Sequence, residues 1–107
     1  MVRRLVRLVR HPAPEEIEVT SVLHALSDPV RLEIVKALEG RGECSCGALE
    51  TSVSKSTLSH HLKVLREAGV THTRVEGTQR LVSLRVGDLE TRLPGVLSSI
   101  LGAHRNH

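Results

Sequence analysis

With 107 residues, 15 lysines and arginines against 12 acids, and no Phe, Tyr or Trp, the chain has the length of one domain and a modest surplus of +3. It also lacks the rings on which single-strand-binding modules stack bases. No stretch approaches a membrane span, and the start, MVRRLVRLVRHPAP, lacks the long apolar block of a secretory signal, so a cytoplasmic protein with no membrane partner is expected.

Cys44 and Cys46 stand one residue apart, too close for an unstrained mutual bridge, so no disulfide framework is expected. The core must be built from Leu, Val, Ile and Ala. A domain this small buries only about two thirds of its unfolded surface, so a second chain sharing apolar surface is expected. The charge is clustered. Residues 1–10 carry four arginines and no acid, and residues 11–53 carry three basic and eight acidic residues. Residues 54–85 carry six basic and two acidic residues, and residues 86–107 two of each. A positive block of this kind attracts polyanions.

Residues 1–14 form a basic segment. Arg3, Arg7 and Arg10 share one helical face before His11-Pro12-Ala13-Pro14 interrupts it. Such a segment packs on the body or on a partner subunit, or else contacts nucleic acid or a membrane surface. From residue 15 the spacing of Ile17, Val22 (or Ser21), Leu23 and Leu26, with acids in the first turn, predicts a helix with His24 at its edge. The next helix has Asp28 as N-cap, Pro29 as first residue and Gly40 as stop. Leu32, Ile34, Val35 and Leu38 form its buried stripe, and Glu33 and Lys36 a surface pair.

A loop leads to Ser45, which is placed to cap a short helix through Cys46, Ala48 and Leu49 to about Thr51. A tight turn at Ser52-Val53 then reaches Ser54, the cap of a longer helix. This is the helix-turn-helix arrangement. At 100° per residue the long helix places Leu58, His61, Leu62 and Leu65 on one side, with Ala68 at the border. Ser56, Ser59, His60, Lys63 and Glu67 fall on the other, so His61 reads as a packed core histidine. Gly69 ends the helix and Val70 packs back. Val75 and the run Leu81–Val86 flank Glu76-Gly77 as a two-stranded hairpin whose tip carries Arg74, Thr78, Gln79 and Arg80. Asp88 is placed to cap a last helix with the apolar stripe Leu89, Leu93, Val96, Leu97, Ile100 and Leu101, broken or restarted at Pro94. That stripe is expected to lie against another chain. Residues 103–107 fray, which leaves a single domain over residues 15–102.

A helix N-terminus offers unpaired N–H groups and partial positive charge, to which phosphate is complementary. Ser54, Lys55, Ser56 and Thr57 crowd that end, and Ser59, His60 and Lys63 continue along the exposed face. The major groove of duplex DNA admits one helix, and helix-turn-helix proteins insert the second by its N-terminal residues. Lys55, Ser56 and His60 are expected at base edges. Ser54, Thr57, Ser59 and Lys63 are expected at phosphate or sugar, and Arg74, Thr78, Gln79 and Arg80 at the backbone or minor groove.

The plainer alternative is a capped surface helix with solvated polar residues. A protein-interaction module without sequence-specific DNA binding is a further one, although its groove would present apolar anchors instead. No HExxH, Gly-rich phosphate loop or nucleophile elbow is present, and His60 and His61 diverge on their helix, so no enzyme is expected.

The stretches HALSDPVRLEIVKAL, SVSKSTLSHHLKVLREAGV and RVEGTQRLVSLR together resemble the ArsR/SmtB family of winged-helix repressors over residues 15–100. The resemblance implies a mainly α fold with a small β-hairpin, in the order α–α–α–α–β–β–α. It further implies a homodimer through the first and last helices, two recognition helices in successive major grooves of a palindromic operator, and release by an inducer. Metal-sensing members carry Cys-x-Cys at the start of the helix before the recognition helix, and ECSCGAL resembles that motif. Here Gly47 and Ala48 intervene before Leu49, where those members place an acid and then a leucine.

Three readings stand for Cys44 and Cys46: small structural thiols, a redox or electrophile switch, or a metal or metalloid sensor. They are thus candidate sensor thiols for a thiol-reactive or metal(loid) inducer. A second family site pairs acids and histidines of the C-terminal helices. Asp88-Leu89-Glu90 and His104-x-x-His107 resemble it in part, without the intervening histidine, and no metal site is assigned.

Overall fold

The computed structural model describes residues 9–49 and 53–105. Arg3, Arg7, Thr51, Ser52 and His107 lie outside the described residues. A 3-10 turn, Pro14–Glu16, precedes helices α1 (Val19–Ala25) and α2 (Pro29–Arg41). Strand β1 (Cys44–Ser45) and a second 3-10 turn, Cys46–Ala48, lead to α3 (Lys55–Glu67). Strands β2 (Thr71–Glu76) and β3 (Gln79–Leu84) form the wing, followed by α4 (Val86–Arg92) and α5 (Val96–Arg105). The sheet is antiparallel in the order β1-β3-β2.

The caps on α2 and α3 are those expected. The Asp28 carboxylate accepts from the backbone N–H of Val30 (2.8 Å) and Arg31 (3.2 Å), and Ser54 Oγ accepts from Thr57 N–H (3.3 Å). The end of α2 differs. Gly40 stays helical, and the stop is Gly42, whose φ of +78° turns the chain while its N–H bonds to Leu38 O at 2.8 Å. The first predicted helix is split. Glu16 closes the 3-10 turn by accepting from Ala13 N–H (2.7 Å), Ile17 and Glu18 are extended, and α1 begins only at Val19. This break drops Ile17 into the core.

The short helix expected after Ser45 is replaced by β1 and a three-residue turn, and Ser45 caps nothing. Cys44 pairs with Val82 and Ser45 with Leu81, so the free edge of β3 captures this segment, and Gly47 gives a helix little support. The sheet therefore has three strands instead of two. Asp88 is not a cap either. Arg85 holds that position, and Asp88 sits within the first turn of α4, its carboxylate bound by Arg85 Nε (3.1 Å) and NH2 (3.0 Å). Pro94-Gly95 separates α4 from α5, as the proline predicts.

The centre of the core is built from Ile17, Val22, Ala25, Ile34, Val35, Leu38, Leu65, Val70, Val82, Leu89 and Leu101, with Thr71 fully buried as well. Gly69 is essential to it. At φ +88° it reverses the chain after α3, and a Cβ there would stand 2.6 Å from Ile17 Cγ1. Two residues of the proposed dimer stripe, Leu89 and Leu101, are spent on this core and offer no surface to another chain, because α4 and α5 fold back over the body. Leu93, Val96, Leu97 and Ile100 stay half-buried. Leu23 is 47% exposed and Val19 is 41% exposed, since among the described residues nothing covers that side of α1.

Candidate nucleic-acid interface

Helix α3 divides as its periodicity requires. Leu62, Leu65 and His61 are buried and Leu58 is half-buried. Ser54, Lys55, Ser56, Thr57, Ser59, His60 and Lys63 are exposed. At the N-terminus the hydroxyls form a local net: Ser54 Oγ lies 3.0 Å from Thr57 Oγ1 and 3.2 Å from Ser56 Oγ. This net orders the first turn of α3 and leaves Lys55 pointing from it.

The buried face of α3 is fixed by Arg31, a residue the sequence reading passed over. Arg31 and His61 are each only 8% exposed. The guanidinium donates from Nε to Ala25 O (2.6 Å), from NH2 to His24 O (3.3 Å), and through NH1 to His61 Nδ1 (3.2 Å). A guanidinium only donates, so Nδ1 accepts and the neutral ring carries its proton on Nε2. One side chain of α2 thereby ties the carbonyl end of α1 to the middle of α3. The signal was present: position 31 falls on the stripe 31-34-35-38, one turn from Ile34 and Val35.

The wing turns at Gly77, φ +63°. Thr73 pairs with Val82 on the core-facing side, so Val75 and Arg80 continue that side and Arg74, Gln79 and Glu76 occupy the other. Arg80 therefore faces the α3 side of the hairpin. Arg74 is held by two carboxylates. Glu43 accepts from its Nε (2.8 Å) and NH2 (2.9 Å), and Glu76 from its NH1 (3.0 Å). These bonds raise the Arg74 guanidinium still further above its ordinary range and lower the Glu43 carboxyl. Among the described residues, Lys55, Lys63 and Arg80 have no such carboxylate partner.

The two thiols diverge in environment. Cys44 is buried on the core side of β1, and Cys46 is half-buried in the following turn. Burial raises the Cys46 thiol above its ordinary range, outweighing the nearby Arg80 charge. The three-residue turn provides no helix N-terminus that would acidify this thiol. The acids and histidines of the second family site also part company. His104 Nε2 meets Glu33 at 3.0 Å, Asp88 binds Arg85, and Glu90 accepts from Gly95 N–H at 3.2 Å. Among the described residues no three His, Cys, Asp or Glu side chains gather as a metal site.

A family model for a helix-turn-helix domain matches residues 26–74. The HTH-type transcriptional regulator YceK of Bacillus subtilis (strain 168) is 43% identical over 82 residues, covering 74% of this chain and 82% of that one. The arsenical resistance operon repressor of Staphylococcus xylosus is 40% identical over 68 residues, 63% of this chain and 65% of its own length. The crystal structure of the transcriptional repressor BigR from Xylella fastidiosa is 38% identical with a TM-score of 0.57, covering 70% of this chain and 85% of that one. With α3 docked on the body, a two-stranded wing within a three-stranded sheet and these relatives, the chain belongs to the ArsR/SmtB family of winged helix-turn-helix DNA-binding transcriptional regulators.

Proposed function

We propose that the protein is a homodimeric repressor that occupies a palindromic operator in the cytoplasm and leaves it when an inducer binds. The N-terminal half of each α3 enters the major groove, and the dimer axis sets the two helices into successive grooves. Lys55, Ser56 and His60 read base edges, while Ser54, Thr57, Ser59 and Lys63 hold phosphate or sugar. Thr78, Gln79 and Arg80 of the wing reach the backbone or minor groove. Arg74 serves chiefly to brace the wing against Glu43. The observation that carries this reading is the set of cations with no carboxylate partner among the described residues: Lys55 and Lys63 on a helix whose other face is locked by Arg31, and Arg80 on the adjoining strand of the wing.

The dimer reading rests on Val19 and Leu23, one turn apart and exposed on α1, together with half-buried Val96, Leu97 and Ile100 on α5. For the inducer, Cys46 is the thiol within reach of solution. A soft metalloid, as the name of the S. xylosus relative suggests, takes about three thiolates or a mixed nitrogen and sulfur set, and this chain offers two cysteines per protomer.

The test is duplex affinity by fluorescence anisotropy on genomic fragments, with sedimentation of the same samples. A dimer with a preferred fragment and affinity falling steeply with salt is expected. A monomer that ignores all duplexes in dilute buffer overturns the reading. Repeating the titration with oxidant, As(III) and Zn(II), beside the Cys44→Ser/Cys46→Ser double variant, decides whether the thiols take part.

A further inference from the structure

Between the Cys46–Ala48 turn, α3 and the wing lies a half-open groove of about 710 Å3. That volume falls within the range of small-molecule sites, about 300–1,000 Å3. Its floor is apolar, formed by Leu49, Val53, Leu58 and Leu62, and its walls bring in Lys55 from the first turn of α3 and Arg80 from β3. Phosphates and sugars have no use for such a floor. A small inorganic anion would satisfy the cations and leave the floor wet, whereas a neutral hydrocarbon would cover the floor and set two cations against apolar surface.

We propose that this groove binds an amphipathic organic anion, its carboxylate on Lys55 and Arg80 and its hydrocarbon body on Leu49, Val53, Leu58 and Leu62. The inference rests on the DNA-contact role given above to Lys55 and Arg80. Because the same two cations serve both partners, the anion and the duplex exclude each other. The occupied protein is the DNA-free form, which is the differential binding that release requires. This supplies an inducer chemistry that needs no metal and no reactive thiol.

The test uses the intact protein and decanoate as probe, held below its micellar concentration, with acetate and decanol as the head-only and tail-only controls. Calorimetry without DNA reads binding directly. Carboxamidomethylation of Cys46, which lines the same groove, reads where binding occurs. Decanoate is expected to bind, to slow Cys46 alkylation in step with occupancy, and to displace a bound duplex, while acetate and decanol do none of these. Lys55→Gln and Arg80→Gln, both at exposed positions, should each weaken decanoate about fivefold, the worth of one part-exposed ion pair. Decanol binding as tightly as decanoate, alkylation unaffected by decanoate, or affinity unchanged in both variants overturns the proposal. A protein that binds decanoate in the groove yet never binds duplex refutes the repressor reading and leaves the site. A protein that binds duplex and ignores decanoate does the reverse.

Discussion

The recognition helix and the wing both carry cations, and they handle them in opposite ways. On α3 no described carboxylate meets Lys55 or Lys63, and the helix is held from behind by Arg31, whose hydrogen bonds all point away from the exposed face. On the wing the charge is divided. Arg74 is spent on Glu43 and Glu76, and only Arg80 stays uncompensated. Fixing a helix from its buried face leaves its outer charges for a ligand. A two-stranded wing has no buried core of its own at the tip, and uses one arginine as a brace from β2 to Glu43, the residue before β1. The wing's basic surface is therefore narrower than its arginine count suggests.

The strongest way to break this contrast is to remove the lock behind α3. Arg31→Met keeps the length of the side chain and leaves the carbonyl of Ala25 and the Nδ1 of His61 without their donor, while His24 O keeps the hydroxyl (2.6 Å) and N–H (3.1 Å) of Ser27. Loss of about 2–4 kcal/mol is expected, since each buried acceptor left unpaired costs about 1–3 kcal/mol and the site relaxes in part. Urea unfolding followed by far-ultraviolet circular dichroism checks it, as the chain has no Trp or Tyr to follow by fluorescence. An unchanged midpoint would mean that α3 is held by its leucines alone.

The next effect separates reading from holding. Lys55→Ala or His60→Ala should weaken the preferred operator about tenfold while leaving random duplex nearly unchanged, so that the preference relaxes. Arg80→Ala should weaken all duplexes alike and lower the salt slope by about one. Arg74→Ala should change duplex affinity less than Arg80→Ala does, because its charge is already matched by two carboxylates. Competition titrations at two salt concentrations measure all four. Equal losses for Arg74 and Arg80 would erase the distinction drawn between the two sides of the wing.

How much of this was legible depends on the range of the forces involved. The caps at Asp28 and Ser54, the leucine stripe of α3 and the burial of His61 are set by neighbours within a turn or two, and the spacing alone reveals them. The segment from Cys44 to Ala48 is set by β3, which lies more than thirty positions further along the chain, and nothing local announces it. The Glu43–Arg74 brace is long-range in the same sense, with 31 positions between its partners. Arg31 was hidden for a different reason: a charged residue on an apolar stripe reads as an interruption until its acceptors are seen. Leu23 shows the converse, since periodicity finds an apolar face without saying whether the protomer itself supplies the cover.

The smallest expected effect concerns the outer edge of the wing. Strand β2 is an edge strand, and the N–H of Thr73 on that edge donates to His11 Nε2 at 3.0 Å. The His11 ring stacks on His72 with centroids 4.3 Å apart and planes 15° from parallel. Pro12 O accepts from Arg85 NH1 at 2.8 Å and holds the same strap. Accepting from Thr73 requires an unprotonated Nε2. Burial, the facing His72 of β2, Arg85 beyond β3 and Arg66 of α3 together lower the His11 pKa below its ordinary 6.5, against a weaker opposing bond to the backbone of Val9. The unfolded chain thus takes up this proton before the folded one does. The contribution is whole above pH 6.5 and is lost as pH falls through the lowered folded value. His11→Gln keeps an acceptor that does not titrate. Between about pH 7.5 and about pH 5.5, its urea midpoint should fall less than that of the unaltered protein. If the two fall in parallel, the strap is not titrating and the wing edge is held by Arg85 alone.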